Sequence, residues 1–343
     1  LIAEVPDHSW IQRSVTMRHD LSLTHGLRAR RFVVVAAVAL GLALPTQAIA
    51  ETVLKFGVAS VNEGLLPLRV ANDQGFLKAE GITAEFLDFR GGGPTVQAFA
   101  GGSVDFCICA ADHVLRLANR GLDARIIVGL DEHHSYALLA KVDSPYTDIK
   151  SLKGKSIGIT SPGSFTDNTV RWAIKQAGLQ AERDFQIVGA GGGASMRAAI
   201  ETGQVDAGAV VTTEVADYLR SGKFKIVTDW RPTRYASLVV IGRQRWADAN
   251  PALARGLVRA VAKAARLIQT DTAATVRSVK LLYPNFNDAQ ALEIAEAAKE
   301  RLSKDGSVSP EGFETMQEVV LLSDTSLKKV SKTDVDLQAK LSQ

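Results

Sequence analysis

Cysteine is scarce in this chain, with two among 343 residues. No cluster of other ligating side chains accompanies them, so a cysteine-based metal centre is excluded. Cys107 and Cys109 are two apart on an expected strand, which places both on one face with poor disulfide geometry. They are expected as small buried hydrophobes. Aromatic residues are also few, at 6%, and the dominance of Ala, Val, Gly and Leu suits a packed α/β protein. A strong charge of one sign is missing. The chain has a sequence pI near 8.8, but from Glu51 onward 35 basic residues face 34 acidic ones, a balance that argues against nucleic-acid binding. The glycine triplets at 91–93 and 191–193 match neither a dinucleotide fingerprint nor a P-loop. His133 and His134 are neighbours on a strand and point to opposite faces, so one ion does not readily take both. The Ser, His and acidic residues form no nucleophile, base or metal constellation. The expectation is therefore a protein without catalytic residues, cofactor or metal.

A long apolar run is missing as well. The longest, Phe32–Leu44, holds thirteen uncharged residues, too few to span a ~30 Å bilayer core as a helix. Arg28, Arg30 and Arg31 precede it, and Ala48-Ile49-Ala50 follows as a small-x-small step. That is the layout of a secretory signal peptide. Residues 1–50 are expected to be a leader cleaved after Ala50, with Met17 the expected start and the periplasm the destination.

What is present is a pattern written twice. Residues 96–129 and 198–227 each give a helical run, a glycine, Val-Asp, an apolar run, a second helix, a glycine and a β-branched run. Val104 and Val205 are 101 residues apart, too long a period for a solenoid. Strand and helix alternate throughout, as in an α/β protein with largely parallel sheets. Two similar lobes form a cleft, and a cleft points to ligand binding. The expected division is lobe one at 51–142 plus 238–343, and lobe two at 143–237. Leu238–Gly242 reads as a strand returning to lobe one, so the chain crosses twice, with hinges near Lys141–Asp143 and Arg234–Leu238. The tail is helical. Asn250-Pro251 and Ser309-Pro310 open helices, Leu253, Leu257, Val261, Ala265 and Ile268 form one apolar face, and Leu292, Ala295 and Leu302 form another. Residues beyond about Lys328 read as polar and frayed.

Several phrases carry a resemblance. They are Leu66-Pro67 followed by Ala71–Ile82, Gly101–Phe106, Ser151–Ile159 and Gly203–Ala207, in this order. Together they resemble the periplasmic solute-binding proteins of ABC importers, within the nitrate/sulfonate/taurine and thiamine-precursor group, over essentially all of 53–325. The resemblance implies a two-lobed periplasmic-binding-protein fold of type II, each lobe a mostly parallel sheet flanked by helices, with a helical C-terminal tail. It implies an extracytoplasmic monomer that captures a small, anionic organic ligand and hands it to a permease and its ATPase. A ligand sensor for a membrane receptor and a secreted enzyme are the alternatives. The thiamine-precursor synthases that share the fold are intracellular and use a Lys-bound pyridoxal phosphate and a Cys-rich iron motif. Two cysteines and an export signal argue against that.

In open parallel sheets the ligand sits beyond the carboxyl ends of the strands. The loops there nominate Ser60, Asn62, Gly92, Gly93, Thr95, Ala111, Asp112, His134, Ser161, Ser164, Phe165, Thr166, Gly193, Thr213 and Glu214 as ligand contacts. Helix N-termini behind them favour anionic oxygens, with Arg90, Arg231 and Arg234 as candidate counter-charges. Asn62, Asp112, His134, Phe165 and Glu214 are the expected specificity residues, although Asp112 and Glu214 also read as helix caps. Tyr136 and Tyr235 read equally as ligand walls or core. After Val205-Asp206-Ala207 the run Gly208–Glu214 departs from the Trp-containing, acid-Pro step usual in sulfonate and taurine members. There Glu214 can accept hydrogen bonds from a ligand's donors.

Overall fold

The Val-Asp step found twice in the sequence starts the same strand in two separate sheets. The computed structural model describes residues 51–59, 61–89 and 91–343, all inside one compact unit. The expected leader and the candidate residues Ser60 and Arg90 lie outside the described residues. The first sheet has the order β2-β1-β3-β10-β4, and the second β7-β6-β8-β5-β9. The strands are β1 Thr52–Val58, β2 Ile82–Asp88, β3 Phe106–Ala110, β4 Arg125–His133, β5 Tyr136–Lys141, β6 Ser156–Ile159, β7 Gln186–Gly189, β8 Ala207–Val211, β9 Phe224–Asp229 and β10 Arg234–Gly242. In each sheet the first three strands are parallel and the fourth is reversed. The sheets are mixed, with four strands of five running one way.

The two aspartates clamp these sheets in the same manner. Asp105 Oδ2 accepts the Lys55 N–H at 2.8 Å, and the Asp105 N–H donates to the Lys55 carbonyl at 2.9 Å. Asp206 Oδ2 accepts the Ser156 N–H at 2.9 Å, and the Asp206 N–H donates to the Ser156 carbonyl at 3.0 Å. Val104 and Val205, just before them, are buried.

The reversed strand in each sheet is the one that has crossed over. β10 returns to the first sheet as expected from its sequence. β5 corrects the expected boundary at 142: Tyr136–Lys141 pairs with β8 and β9 in the second sheet. The first crossing is thus His134–Ser135 and the second is residues 230–233. The two lie side by side, with the His134 N–H donating to the Thr233 carbonyl at 3.0 Å. Sequence adjacency to β4 hid this, because the polar stretch after Lys141 imitates a linker.

The helices that matter for the site are α1 Leu66–Asp73, α2 Gly92–Ala100, α3 Asp112–Asn119, α4 Phe165–Gln176, α5 Ala194–Thr202, α6 Thr212–Arg220, α7 Pro251–Thr270, α8 Thr272–Leu282, α9 Asp288–Arg301 and α10 Pro310–Ser323. Alternation along the strands splits the first lobe into two cores. Phe56, Phe106 and Ile108 face α1 and α7, while Cys107, Cys109, Val239 and Ile241 face the other way with α10's Phe313, Met316 and Val320. Leu257, Val261, Ala265 and Ile268 of α7 are all buried. No described helix is long and apolar enough to cross a membrane.

Cys107 and Cys109 are buried on one face of β3 with their sulfurs in contact, in the core shared with α10, as expected of small hydrophobes. Three local expectations change. Asn250 does not cap α7 through its side chain, which donates instead to the Trp246 carbonyl at 3.0 Å. Leu292 is exposed rather than packed. The chain beyond Lys328 docks instead of fraying, with Val335 and Leu341 buried and the Leu337 N–H bonded to the Ile126 carbonyl.

Candidate functional site

The strand ends of the second sheet, capped by a corner of the first lobe, enclose a cavity of about 430 Å³. The second lobe supplies Tyr136, Thr160, Gly192, Gly193, Met196, the end of β8, Thr213, Glu214 and Asp217. The first lobe supplies Val61, beside β1, and the tail supplies Tyr283 and Phe286 from the loop between α8 and α9. The Tyr283 and Phe286 rings stack with centroids 4.7 Å apart.

Three of the residues nominated from sequence line this cavity: Gly193, Thr213 and Glu214. Tyr136 does so too, whereas Tyr235 is wholly buried core. Glu214 is half-buried in the first turn of α6. Burial pushes its carboxyl up, with Arg197 opposing and Asp217 reinforcing. It forms no hydrogen bond or ion pair among the described residues. Its Oε1 stands against Gly193, 3.4 Å from where a Cβ there would be.

The other nominated residues build the walls' supports. The Asn62 side chain accepts the Gly64 N–H at 3.0 Å and caps the turn before α1. Gly92 and Gly93 open α2, and a Cβ on Gly92 would meet His113 Nε2 at 2.5 Å, so a larger residue there would have to displace that imidazole. Thr95 is buried and its hydroxyl donates to the Gly91 carbonyl. Ala111 and Asp112 are buried at the start of α3. Asp112 Oδ2 accepts from Asn168 Nδ2 of α4 at 3.2 Å, so this carboxylate ties the lobes together. Ser164 caps α4, and its hydroxyl, with those of Thr160 and Thr166, forms a closed triangle with sides of 2.8–2.9 Å. Ser161 is exposed on the loop before it. Arg231 is paired with Asp229 at 2.7 Å, Arg234 is exposed, and neither lines the cavity.

His134 and Phe165 belong to an aromatic cluster at the crossings. The His134 ring lies 4.7 Å from Phe165, 5.2 Å from Tyr235 and 5.7 Å from Trp230. Its Nδ1 accepts the Tyr136 N–H at 3.2 Å. Its Nε2 is 2.8 Å from Thr169 Oγ1, and that hydroxyl donates to the Phe165 carbonyl. The Nε2–H tautomer satisfies both ring nitrogens without a charge. Burial and the nearby Arg301 charge push this imidazole down to about 3.

Arg301, at the end of α9, locks the crossings from the first-lobe side. Its guanidinium donates to the carbonyls of His133 and His134 at 3.2 and 3.3 Å, to Asp131 Oδ2 at 2.6 Å and to Ser135 Oγ at 3.1 Å. It also reaches Thr212 Oγ1 of the second lobe at 3.2 Å. Glu63 faces it at 3.6 Å, and both Glu63 carboxylate oxygens are buried without a hydrogen-bond partner. Burial is the largest influence on Glu63 and raises it. Burial, then the Glu63 and Glu214 charges, push the Tyr136 phenol up to about 12 and raise that of Tyr283.

Sequence reasoning missed Val61, Thr160, Met196, Asp217, Tyr283, Phe286 and the Arg301–Glu63 pair. Tyr283 and Phe286 did carry a signal: two aromatics bracketing Pro284 and Asn285 in a loop, where no helix face needs them. Arg301 and Glu63 carried none, since nothing in their local sequence sets them apart from surface charges.

The chain has clear relatives. Residues 62–273 match the family described as NMT1/THI5 like. A 4-amino-5-hydroxymethyl-2-methylpyrimidine phosphate synthase of Aspergillus parasiticus is 25% identical, over 70% of this chain and 73% of its own length. A solved protein from Bordetella bronchiseptica RB50 superposes with a TM-score of 0.72 at 25% identity, over 85% of this chain and 97% of the other. The periplasmic aliphatic sulphonate binding protein of Escherichia coli superposes with a TM-score of 0.67 at 20% identity, over 82% and 91%. With 62–273 matched, more than half of its length, the chain belongs to the NMT1/THI5-like family.

Proposed function

We propose that this protein is the extracytoplasmic solute-binding component of an ABC importer, capturing one small organic molecule between its lobes and presenting it to a permease. The observation that carries this reading is the cavity itself. It has the size of a small-ligand site, it lies at the strand ends, and both lobes wall it. The likeness to the sulphonate binding protein supports the fold that such capture uses. The leader expected at 1–50 fits a periplasmic destination.

The synthase activity printed for the Aspergillus relative supports a second reading, an enzyme on the same scaffold. The lining speaks for capture. Among the described residues it holds no lysine, histidine or cysteine, and its hydroxyls are not paired with a base. A thermal-shift screen over amines, sulfonates, aromatic carboxylates, nitrate and pyrimidines tests the proposal. A ligand at 100 times its Kd adds about 2.7 kcal/mol. Capture predicts a stabiliser recovered unchanged after incubation. A stabiliser converted to product establishes the enzyme instead.

A further inference from the structure

We propose that the cavity selects a small organic cation, a protonated amine or amidine on an apolar or flat body, and excludes anions. This rests on the solute-capture reading and assigns its ligand class. The sequence pointed to an anionic ligand; the lining is what argues for the opposite charge. Among the described residues the charged side chains facing the cavity are Glu214 and Asp217, with no Lys, Arg or His. Asp217 is already paired with Arg220. Glu214 makes no hydrogen bond or ion pair among the described residues, and Arg197 is the cation that acts on it from a distance.

The position of Glu214 matters more than its presence. The first turn of α5 is where backbone N–H groups and the helix dipole would receive an anionic ligand. The Glu214 carboxylate stands against Gly193 at that very end, so the protein supplies its own anion there. A sulfonate placed in the cavity would meet that carboxylate at close range, and the Glu63 and Glu214 charges already act together on the Tyr136 and Tyr283 phenols of the lining. The neighbouring cations have other groups to satisfy as well. Arg197 lies over the Tyr218 ring and 3.8 Å from Glu201, and Arg301 is shared between Asp131 and Glu63. A ligand cation would instead give Glu214 a direct ion-pair partner, in a lining that also holds the aromatic rings of Tyr136, Tyr283 and Phe286, and aromatic rings attract positive charge. An unpaired carboxylate also discriminates against a wrong ligand, because burying it uncompensated is costly.

The test uses matched pairs of one shape and opposite charge: benzylamine with benzenesulfonate, and butylamine with butanesulfonate. Each is titrated calorimetrically into the parent protein and into Glu214→Gln at neutral pH. The expected result is binding of at least one amine and of neither sulfonate, with tenfold or greater loss of amine affinity in Glu214→Gln. That variant keeps the shape of the side chain, so its melting temperature should stay near the parent's, and a loss of affinity then reads as lost recognition. Binding of a sulfonate without its amine overturns the inference and leaves solute capture standing. Amine binding undiminished in Glu214→Gln also overturns it. If neither amine binds, the inference fails, and capture fails with it only when the full screen of neutral and anionic compounds is silent as well.

Discussion

Protonating His134 would break the bond its Nδ1 accepts from Tyr136 and place a charge beside Arg301 in an aromatic cluster. The unfolded chain has neither obstacle. The folded value, about 3, lies below the ordinary 6.5, so the stabilisation is fully present above the unfolded value and is lost as pH falls toward the folded one. The loss approaches about 1.4 kcal/mol per pH unit in that window. Carbon-bound imidazole proton signals of folded His134 should not titrate between about pH 8 and pH 5. His134→Gln should remove part of the stability loss seen in urea unfolding over the same range. A folded-state titration near the ordinary value overturns this account. Arg301 gives a second residue-scale prediction. Replacing it by Met leaves Asp131 and Glu63 buried without their cation, which should cost about 3–5 kcal/mol in urea unfolding. A cost below about 1 kcal/mol would mean the pair contributes as little as a surface ion pair. At this scale the sequence was legible only in part. Glu214, Gly193 and Thr213 follow strand ends, and position alone nominates them. Asp112, His134 and Thr95 also follow strand ends, yet they face inward, because facing depends on how the loops fold back.

The duplicated Val-Asp step was the clearest signal in the sequence, and its meaning is structural. Each aspartate fixes the start of its sheet by taking the N–H of a neighbouring strand. The step is the same in both lobes because both sheets have the same order, 2-1-3 followed by a reversed strand and an outer one. Asp206 carries more bonds, accepting also from Tyr146 Oη at 2.7 Å and Ser156 Oγ at 2.8 Å. Losing hydrogen bonds to a charged group costs about 1.5–3 kcal/mol. Asp105→Ala and Asp206→Ala should each fall in that range by equilibrium unfolding, with Asp206→Ala the more damaging. If either variant is as stable as the parent, the repeated step is not a clamp. The strand β5 shows the limit of reading elements from sequence. Its residues predict a strand, but a strand's sheet is fixed by pairing. Nothing between His133 and Tyr136 marks the crossing except two small or buried side chains that pack against the partner crossing.

At the scale of the whole molecule, two unlike contacts join the lobes away from the crossings among the described residues. On one, α4 packs on α10: Phe165 and Trp172 lie against the first-lobe core, Asn168 bonds Asp112, Arg116 and Ser323, and Gln176 bonds Glu318. On the other, Arg220 of α6 meets Glu293 of α9 at 3.3 Å, and both side chains are about half exposed. An exposed ion pair is worth about 0–1 kcal/mol, while buried aromatic surface and several hydrogen bonds are worth more. Hinge opening should therefore part α6 from α9 and keep α4 on α10, turning about the paired crossings at 134–135 and 230–233. Spin labels at Leu219 and Leu292, both exposed, report the first distance. Labels at Lys175 and Glu314, also exposed, report the second. With the strongest stabiliser from the thermal-shift screen added, the Leu219–Leu292 distance should shorten and narrow while the Lys175–Glu314 distance stays fixed. If the second distance moves as much as the first, α4 and α10 are not the pivot. If neither moves, the lobes are rigid, and the ligand must enter a cavity that does not close.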